Sequence, residues 1–494
     1  MTTPVEHDKP RVESAAASPT ARGSLYVDLD GTLIASDMLW ESVCQLLHRE
    51  PLSVLRLPGW LLGGRASFKR GIATRVQPDV TSLPYRPAVL EYLREQHGAG
   101  RRTVLATASD ERLAQAVASH VGLFDDCMGS DGSSNVKGAA KLAAIRAREG
   151  GAAFEYVGDS AADLAVWEGS AAATLVAASA STTRAANKLG IPVRSLVERR
   201  SQFRTALRAL RPYQWVKNIL LFAPVILAHQ VVDAARLMPV LLAFVSFCCV
   251  ASATYIWNDL LDIEADRKHP RKCHRPFAAG RLSIPNGAAL SFGLLGAGFA
   301  LSLLTVPLAS TAMLAGYLVL TTLYSLYFKE QVFLDVLVLA GLYTLRILAG
   351  GVAGAVEVSP WLLAFSMFFF LSLAFVKRYS ELLGAQASQK QKLARRGYEV
   401  DDLGLVENMG TTSGYMSVLV LALYVSSDAV EKLYGGSTLI WGICPIMLFW
   451  VTRIWFLARR GIMTDDPVLF AATDRISYLA GAAIAAVGIL AALR

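Results

Sequence analysis

The sequence predicts two structural classes in one chain: an α/β domain with a parallel sheet and a small helical cap, followed by an all-α, nine-helix, multi-pass membrane domain. Of the 494 residues, 53% are hydrophobic and 18% are charged, but the apolar residues are unevenly distributed. Residues 1–215 have the mixed composition of a soluble domain, whereas long apolar runs recur from about residue 216 onward. In the first part, short apolar strands alternate with helical stretches, which is typical of a parallel sheet.

The composition also suggests where the segments begin and end. Residues 1–23 are small and polar and contain no apolar stretch of signal-peptide length, so we expect a disordered tail. Residues 24–190 form the predicted α/β domain, with its cap at about 36–85. Residues 191–215 are strongly basic and are predicted as a linker helix, either lying along anionic lipid headgroups or simply solvated. Residues 216–494 form the predicted membrane domain.

Nine apolar windows predict the membrane helices. A helix needs ~20 residues to cross the hydrocarbon core, with ~17 as the lower limit. The windows are 216–230, 237–257, 286–304, 308–328, 332–353, 358–377, 413–430, 437–457 and 473–493. The first window is short, and it begins with Lys217 and Asn218.

The basic residues between these windows predict the orientation. If residues 1–215 are cytoplasmic, the loops after windows two, four, six and eight are cytoplasmic too. These loops carry Arg267, Lys268, Arg271, Lys272, Arg275, Arg281, Lys329, Lys377, Arg378, Lys390, Lys392, Arg395, Arg396, Arg459 and Arg460. The other loops carry only Arg236 and Lys432. This asymmetry predicts a multi-pass protein of the cell (inner) membrane with its N-terminal domain in the cytoplasm.

Charge and cysteine content argue against several other classes. The net charge of +8 is mild for this length, and no nucleic-acid-binding motif is present, so we expect no nucleic-acid partner. None of the six cysteines forms a CxxC pair, which argues against a zinc site or a disulfide framework.

In the first part, acidic residues follow predicted strands. SLYVDLDGT places Asp28 at the end of a strand and Asp30 two residues later, and Gly31 permits a sharp exit turn. FEYVGDSAADLAVW is another strand, followed by Asp159 and Asp163. Because the carboxyl ends of parallel strands line the ligand crevice of a Rossmann-like sheet, we expect these carboxylates to lie there.

Two further motifs complete this set. TVLATASD is a strand that ends at Thr107, and NVKGAAK offers Lys137. Helical stretches are predicted at 86–97, 111–121 and 138–149, between the strands. An aspartate can attack phosphorus as a nucleophile, but it needs a neighbouring cation because two anions repel.

The four motifs, in this order, resemble those of the haloacid dehalogenase superfamily of aspartate-nucleophile phosphatases over about residues 24–190. The resemblance implies that Asp28 is the nucleophile and that Mg²⁺ is held by Asp28, Asp159 and the carbonyl of Asp30. It implies that Asp30 is the general acid and base and that Thr107 binds a phosphate oxygen.

Within the same resemblance, Lys137 offsets negative charge and Asp163 supports the metal loop. Two alternatives stay open here. The fold could have lost its activity, and the apolar stretch LSVLRLPGWLLGG could be cap core or a surface that meets a lipid substrate.

A cluster of acidic residues borders the second apolar window. In NDLLDIEADRKHPRKCHRP, Asn258, Asp262 and Asp266 are spaced by four residues and lie along one stripe of a helix, with Asp259 beside it. Carboxylates in register repel unless a cation binds them, and a set of oxygen ligands favours Mg²⁺. Bound Mg²⁺ implies a phosphate or diphosphate ligand, whose remaining oxygens would suit the cations that follow: Arg267, Lys272 and Arg275. The alternative, a basic stop-transfer flank, explains the cations but not the acidic stripe.

This motif resembles that of the UbiA superfamily of intramembrane prenyltransferases, with the likeness extending from RPYQWVKN (Arg211–Asn218) to the C-terminus. The loop after window four holds only Glu330 and Asp335, whereas most members carry a second aspartate-rich motif. RPYQWVKN, DVLVLAGLYTLRILAGG, FVKRYSEL and DDPVLFAATDR are similar to the branch of polyprenyl-phosphate phosphoribosyltransferases.

That resemblance implies Asp259, Asp262 and Asp266 as ligands of magnesium and diphosphate, with Asp335 in support. The candidate substrate and phosphate contacts are Lys217, Asn258, Arg267, Lys272, Arg275, Arg346, Lys377 and Arg378. The cations among them could instead be interfacial anchors, although Arg346 lies within an apolar window, where a charge is costly.

The joined motifs predict a bifunctional membrane enzyme with Mg²⁺ at both sites. Its expected partners are phosphoribosyl pyrophosphate, a polyprenyl phosphate of undetermined chain length and membrane lipids, and homo-oligomerisation is left open. The alternatives are an aromatic, quinone-pathway prenyltransferase fused to a phosphatase for an unrelated soluble substrate, and a transporter. A transporter usually places its ionisable groups near the bilayer midplane, whereas most of these lie at one edge.

Overall fold

The structure, a computed structural model, describes residues 23–62, 68, 71–72, 74–76, 78–130, 136–198, 201–389, 391–393, 396–427, 430, 438–463 and 466–493. Residues 1–22 of the predicted tail lie outside this part. The chain divides into two compact units. The first comprises residues 1–202 and 261–284, and the second comprises residues 203–260 and 285–494. The loop that follows the second apolar window therefore belongs to the first unit.

A six-stranded parallel sheet forms the centre of the first unit. Its strands are β1 (Ser24–Val27), β2 (Thr103–Asp110), β3 (Asp126–Ser130), β4 (Phe154–Gly158), β5 (Ala172–Val176) and β6 (Val193–Val197). Their order in the sheet is β3-β2-β1-β4-β5-β6, and every pairing is parallel. This confirms the predicted parallel-sheet α/β class of the N-terminal domain.

Alternation along β1 shows how the sheet builds a core on each face. Leu25 and Val27 pack in one hydrophobic cluster, and Tyr26 packs in another on the opposite side. All three side chains are fully buried. Both faces are covered, as expected for a parallel sheet whose crossover connections are helical.

Among the described residues between 38 and 187, seven helices connect the strands or belong to the cap. They are α1 (Met38–Arg49), α2 (Leu57–Leu62), α3 (Pro87–Gly98), α4 (Glu111–Val121), α5 (Ala139–Glu149), α6 (Leu164–Trp167) and α7 (Ala180–Asn187). The predicted helical stretches at 86–97, 111–121 and 138–149 agree with α3, α4 and α5 to within a residue at each end.

The predicted linker helix is wrong over part of its length. Residues Val193–Val197 form β6, which pairs with β5, so the sheet extends beyond the predicted boundary at residue 190. The strand is partly exposed and contains Arg194, so its sequence does not show the continuous apolar run of the inner strands. For this reason its basic sequence predicts a linker and not a strand.

In the part of the chain described from residue 201 onward, the helices are α8 (Gln202–Ala209), α9 (Ala223–Leu227), α10 (Ala234–Leu261), α11 (Ile263–Lys268), α12 (Ile284–Thr305), α13 (Leu308–Leu326), α14 (Leu334–Ala353), α15 (Pro360–Ala387), α16 (Leu403–Val425), α17 (Ile443–Arg459), α18 (Pro467–Ala471) and α19 (Arg475–Ala492). Of these, α11 belongs to the first unit. The second unit is thus helical, as predicted.

Seven helical segments among the described residues are long and apolar enough to cross a membrane. They are Ala234–Leu261, Ile284–Thr305, Leu308–Leu326, Leu334–Ala353, Pro360–Ala387, Thr438–Arg459 and Arg475–Ala492. The predicted count of nine is not confirmed. The window at 216–230 contains the end of a 3-10 helix (Pro212–Phe222) and the short α9, and α16 begins with polar residues that lower its hydropathy.

Candidate active sites

The sheet order brings together the residues that follow β1 and β4. Asp28 comes directly after β1, Asp159 comes directly after β4, and these two strands are neighbours. Thr107 lies in β2, on the other side of β1. The strand order reverses at β1, and such a reversal opens a crevice at the carboxyl ends of the strands.

Three carboxylates gather in this crevice. Asp28, Asp159 and Asp163 offer oxygen atoms that all lie within 4.8 Å of one another. The side chain of Asp163 also braces the loop, because its Oδ2 accepts hydrogen bonds from the backbone nitrogens of Asp159 (3.2 Å) and Ser160 (3.0 Å). Asp163 thus fixes the loop that carries Asp159, and its supporting role at a metal site stays a prediction.

The glycine after Asp30 is required by the close approach of Asp159. Gly31 has a φ of +78°, and a Cβ atom there would lie 2.2 Å from Oδ2 of Asp159. Any larger residue would therefore displace the side chain of Asp159, and it would also strain the backbone, because a positive φ favours glycine.

The lysine beside the nucleophile candidate is Lys141, and the sequence-based choice of Lys137 is corrected. Nζ of Lys141 lies 2.8 Å from Oδ1 of Asp28 and 2.6 Å from the hydroxyl oxygen of Tyr156, and the lysine is 3% exposed. Lys137 is exposed, two residues before the start of α5. Both lysines occur in NVKGAAK, and they are one helical turn apart, so only packing distinguishes them.

Three donors orient the side chain of Asp30. Its Oδ1 accepts a hydrogen bond from the backbone nitrogen of Met38 (2.8 Å), and its Oδ2 accepts from the hydroxyls of Ser109 (2.7 Å) and Thr107 (3.4 Å). The structure thus joins Asp30 and Thr107, which the sequence assigned to one site. The carbonyl of Asp30 as a metal ligand stays a prediction.

Burial makes the crowded carboxylates difficult to ionise without a cation. It raises the pKa of Asp28 from its usual 3.8 to about 8; the charge of Lys141 opposes this rise, while Asp163 adds to it. Burial also raises the pKa of Asp159 to about 7, with Asp163 again adding to the rise and Arg86 opposing it. Buried carboxylate oxygens that need positive charge fit a hard cation such as Mg²⁺.

Besides Lys141 and its partner Tyr156, sequence reasoning missed Arg86 and Ser109 at this site. Arg86 donates from Nε to the carbonyl oxygen of Gly31 (3.1 Å), and Ser109 donates to Asp30 (2.7 Å). Arg86 stands directly before Pro87 at the start of α3, where the chain returns from the predicted cap. Neither residue belongs to a motif of its own, although Ser109 lies two residues beyond Thr107 in TVLATASD.

The aspartate stripe is divided between the two units. Asn258 and Asp259 lie in the last turn of α10 in the second unit, whereas Asp262 and Asp266 lie at the beginning of α11 and within it, in the first unit. Asp259 is 2% exposed and forms an ion pair with Arg211. The magnesium role of Asp259, Asp262 and Asp266 stays a prediction.

The cations that follow the stripe have different surroundings within the first unit. Arg275 pairs with Asp266 at 2.6 Å, Lys272 is exposed, and the guanidinium of Arg267 is paired with Glu41. Arg275 and Arg267 are thus already engaged by carboxylates of the protein. Their predicted phosphate contacts would require these pairs to be exchanged or shared.

Arg346 is almost fully buried in the second unit and satisfied by neutral groups. It donates to the side-chain oxygen of Asn218 (2.9 Å), the hydroxyl of Tyr317 (3.1 Å) and the carbonyl of Leu342 (2.6 Å). No carboxylate among the described residues forms an ion pair with it, so it is a buried positive charge held by dipoles. Such a group suits an anionic ligand.

Arg378 and Asp335, both predicted from sequence, form a fully buried ion pair. Nε of Arg378 lies 2.8 Å from Oδ2 of Asp335, and neither side chain is exposed. Glu381 also contacts this guanidinium, and Tyr398 donates to Asp335 (2.8 Å). Within the described residues, the buried Nη2 of Arg378 has no hydrogen-bond partner.

Lys217 and Lys377 both interact electrostatically with the carboxylate of Asp466. Lys217 forms an ion pair with it. Burial would raise the pKa of Asp466, but Lys217 and Lys377 hold it below its usual value. Asp466 lies in the motif DDPVLFAATDR, yet its pairing with a lysine almost 250 positions away was not visible from spacing.

Comparison with known families agrees with both halves of the architecture. Residues 219–472, more than half of the chain, match the UbiA prenyltransferase family. The chain belongs to the UbiA prenyltransferase family. Residues 25–168 match the haloacid dehalogenase-like hydrolase family, so this UbiA protein carries a hydrolase domain of that kind at its N-terminus.

Three relatives are similar to this UbiA protein over more than half of its length. It is 38% identical over 474 residues to "Uncharacterized protein y4nM" of Sinorhizobium fredii, a match that covers 94% of this chain and 90% of the relative. It is 36% identical over 277 residues to nodulation protein NoeC of Azorhizobium caulinodans (56% of this chain, 90% of NoeC). It is 32% identical over 294 residues to decaprenyl-phosphate phosphoribosyltransferase of Mycobacterium tuberculosis (57% of this chain, 92% of that protein).

The position of Lys141 gives a first prediction. Replacing Lys141 with alanine should lower the hydrolysis of p-nitrophenyl phosphate by about 10²-fold or more, because a buried cation beside the reacting carboxylate is lost. Lys137→Ala, the matched variant one turn earlier, should change the rate little. Steady-state rates with the purified full chain test this, and the opposite order of the two effects would restore Lys137.

The raised pKa values of Asp28 and Asp159 give a second prediction. Below about pH 7 to 8, Mg²⁺ must displace protons from these carboxylates, so its apparent affinity should increase as the pH rises from 6 to 8. The half-saturating Mg²⁺ concentration for hydrolysis, measured at saturating substrate, should fall by up to about tenfold per pH unit for each displaced proton. A concentration that does not change with pH would contradict the proton–metal competition.

Proposed function

We propose that the protein is a bifunctional membrane enzyme. Its UbiA domain transfers the 5-phosphoribosyl group from phosphoribosyl pyrophosphate to a polyprenyl phosphate in a Mg²⁺-dependent reaction. Its N-terminal domain hydrolyses a phosphate monoester, and the 5-phosphate of the transferase product is the substrate we favour.

One observation carries this proposal: two phosphate-handling domains occur in one chain. The membrane part is similar to decaprenyl-phosphate phosphoribosyltransferases, and the carboxylate crevice of the first unit suits a phosphate monoester. Transfer of a 5-phosphoribosyl group leaves one phosphate monoester on the sugar. The product of the first reaction therefore belongs to the substrate class of the second.

The transfer step forms a bond between a phosphate oxygen of the lipid and C1 of the ribose. The bond from C1 to the diphosphate oxygen breaks, and diphosphate leaves with the bonding electrons. Asp259, Asp262 and Asp266 would hold the Mg²⁺, which would neutralise the departing diphosphate. Lys217, Arg346, Lys377 and Arg378 would contact the anionic lipid and sugar phosphates, and for Lys217 and Arg378 this contact would require their carboxylate partners to be exchanged or shared.

In the hydrolysis step, a carboxylate oxygen of Asp28 attacks phosphorus and the bond to the sugar oxygen breaks. Asp30 donates a proton to that oxygen and then removes a proton from the water that hydrolyses the aspartyl-phosphate. Lys141 stabilises negative charge on Asp28 and the phosphoryl group. Asp28 and Asp159, with Asp163 in support, would hold the Mg²⁺, which shields the nucleophile from the anionic substrate.

Both reactions would take place at the cytoplasmic face, because the asymmetry of lysine and arginine residues predicts that the N-terminal domain is cytoplasmic. A lipid-linked intermediate would stay in the same membrane as the phosphatase domain. The tether raises the effective concentration of the second site, so the intermediate need not accumulate.

A single-residue variant separates the two reactions. With radiolabelled phosphoribosyl pyrophosphate and polyprenyl phosphate, the wild-type protein should form a ribosyl lipid without the 5-phosphate. Asp28→Asn should accumulate the phosphorylated ribosyl lipid, because it lacks the nucleophile of the second step. Mass spectrometry of the lipid extract distinguishes the two products.

Two outcomes would contradict the proposal. Removal of the sugar phosphate at the normal rate by Asp28→Asn would exclude the N-terminal domain from the second step. Transfer from a prenyl diphosphate to an aromatic acceptor, without reaction of phosphoribosyl pyrophosphate, would support the quinone-pathway alternative.

A further inference from the structure

The loop between α10 and α12, residues 261–284, packs within the first unit along the start of the cap. Gln45 of α1 donates to Glu264 (3.0 Å), and Lys268 pairs with Asp79 (2.8 Å). A Cβ atom at Gly280 would lie 2.5 Å from the carbonyl oxygen of Ala35, so the two backbones are in close contact. A segment that is part of the UbiA sequence match thus forms part of the hydrolase unit.

The strongest contact of this loop is a buried, two-point ion pair. Nη1 and Nη2 of Arg267 lie 3.1 and 2.6 Å from the two carboxylate oxygens of Glu41, and the side chains are 7% and 4% exposed. The carbonyl of Ala278 accepts a third hydrogen bond of Arg267, from Nε (3.0 Å), and Ser36 donates to Glu41. Among the described residues, Arg267 is the cation that pairs with Glu41, and a buried carboxylate without its partner is strongly disfavoured.

Glu41 lies in the first turn of α1, close to the group that orients Asp30. The backbone nitrogen of Met38, the first residue of α1, donates to Oδ1 of Asp30 (2.8 Å). Ser36, which donates to Glu41, also accepts at its carbonyl from the nitrogen of Gly31 (2.9 Å). The segment from Gly31 to Glu41 is therefore fixed at one end by the DxDGT turn and at the other by Arg267.

We infer that Arg267 is a positioning residue of the hydrolase site. It fixes Glu41 and, through the first turn of α1, holds the carboxylate of Asp30 in the geometry required for proton transfer. This inference rests on the hydrolysis proposed above. It goes beyond that proposal because it gives the loop at residues 261–284, which carries Asp262 and Asp266, a role in hydrolysis as well as in transfer. Arg267 directly follows Asp266, so one loop serves both halves of the protein.

The test compares two esters that differ in their need for a proton. Ribose 5-phosphate has a poor leaving oxygen that must be protonated, whereas p-nitrophenolate leaves readily without a proton. If Arg267 acts through Asp30, its loss should affect kcat/KM for ribose 5-phosphate more than for p-nitrophenyl phosphate. A general loss of folding would affect both esters alike.

The variants are Arg267→Lys, which keeps the charge but loses the two-point geometry, and Glu41→Gln. Each should lower kcat/KM for ribose 5-phosphate by about tenfold or more, with a clearly smaller effect on p-nitrophenyl phosphate. The half-saturating Mg²⁺ concentration should not change, because Asp28, Asp159 and Asp163 are untouched. Arg271→Lys, at an exposed arginine of the same loop, is the matched control and should leave both rates within about twofold.

A further single variant, Arg267→Gln, removes the charge of the arginine. The double variant Glu41→Gln/Arg267→Gln should lose no more activity than Glu41→Gln or Arg267→Gln alone, because both side chains act through one pair. Unchanged hydrolysis of both esters by Arg267→Lys would overturn the inference. So would an equal loss for both esters accompanied by a higher Mg²⁺ requirement. A wild-type protein that hydrolyses neither ester would instead remove the proposed hydrolysis itself, and the inference with it.

Discussion

The crowding of three carboxylates within 4.8 Å is the constraint on which the first unit depends. Such a group is unfavourable when buried, because desolvation and mutual repulsion both oppose ionisation. The surrounding structure answers this in several ways: β1 and β4 are neighbours, Gly31 leaves room for Asp159, and Lys141 contacts Asp28. The positive charge that the site still needs is the physical reason to expect a divalent cation, which would in turn bind an anionic substrate such as a phosphate.

The second unit follows the opposite arrangement, with buried cations in an apolar helical environment. Among the described residues, Arg378 is compensated by Asp335 and Lys217 by Asp466, whereas Arg346 donates hydrogen bonds to neutral groups. Burying these charges costs free energy unless partner groups of opposite charge compensate them. The anionic groups of a substrate complex would supply such partners. The loop at residues 261–284 belongs to neither pattern alone, since it carries Asp262 and Asp266 of the aspartate stripe and yet packs in the hydrolase unit.

Much of the hydrolase fold could be predicted from sequence, because motif order and alternating strands and helices place Asp28, Thr107 and Asp159 at neighbouring strands. The choice between Lys137 and Lys141 could not be predicted from sequence, since both stand in one motif and only their burial differs. Strand β6 was missed because it is basic and partly exposed. The pairing of Arg267 with Glu41 joins residues 226 positions apart, and no local pattern reports it.

The central claim is that the acidic residues of each half bind Mg²⁺ in order to handle a phosphate group, and the aspartate stripe tests it most directly. The measurement is ribosyl transfer from labelled phosphoribosyl pyrophosphate, as a function of Mg²⁺, by the double variant Asp259→Ala/Asp262→Ala. The account predicts that transfer is lost while Mg²⁺-dependent hydrolysis of p-nitrophenyl phosphate is retained. Transfer that proceeds at the normal rate with an unchanged Mg²⁺ requirement would contradict it.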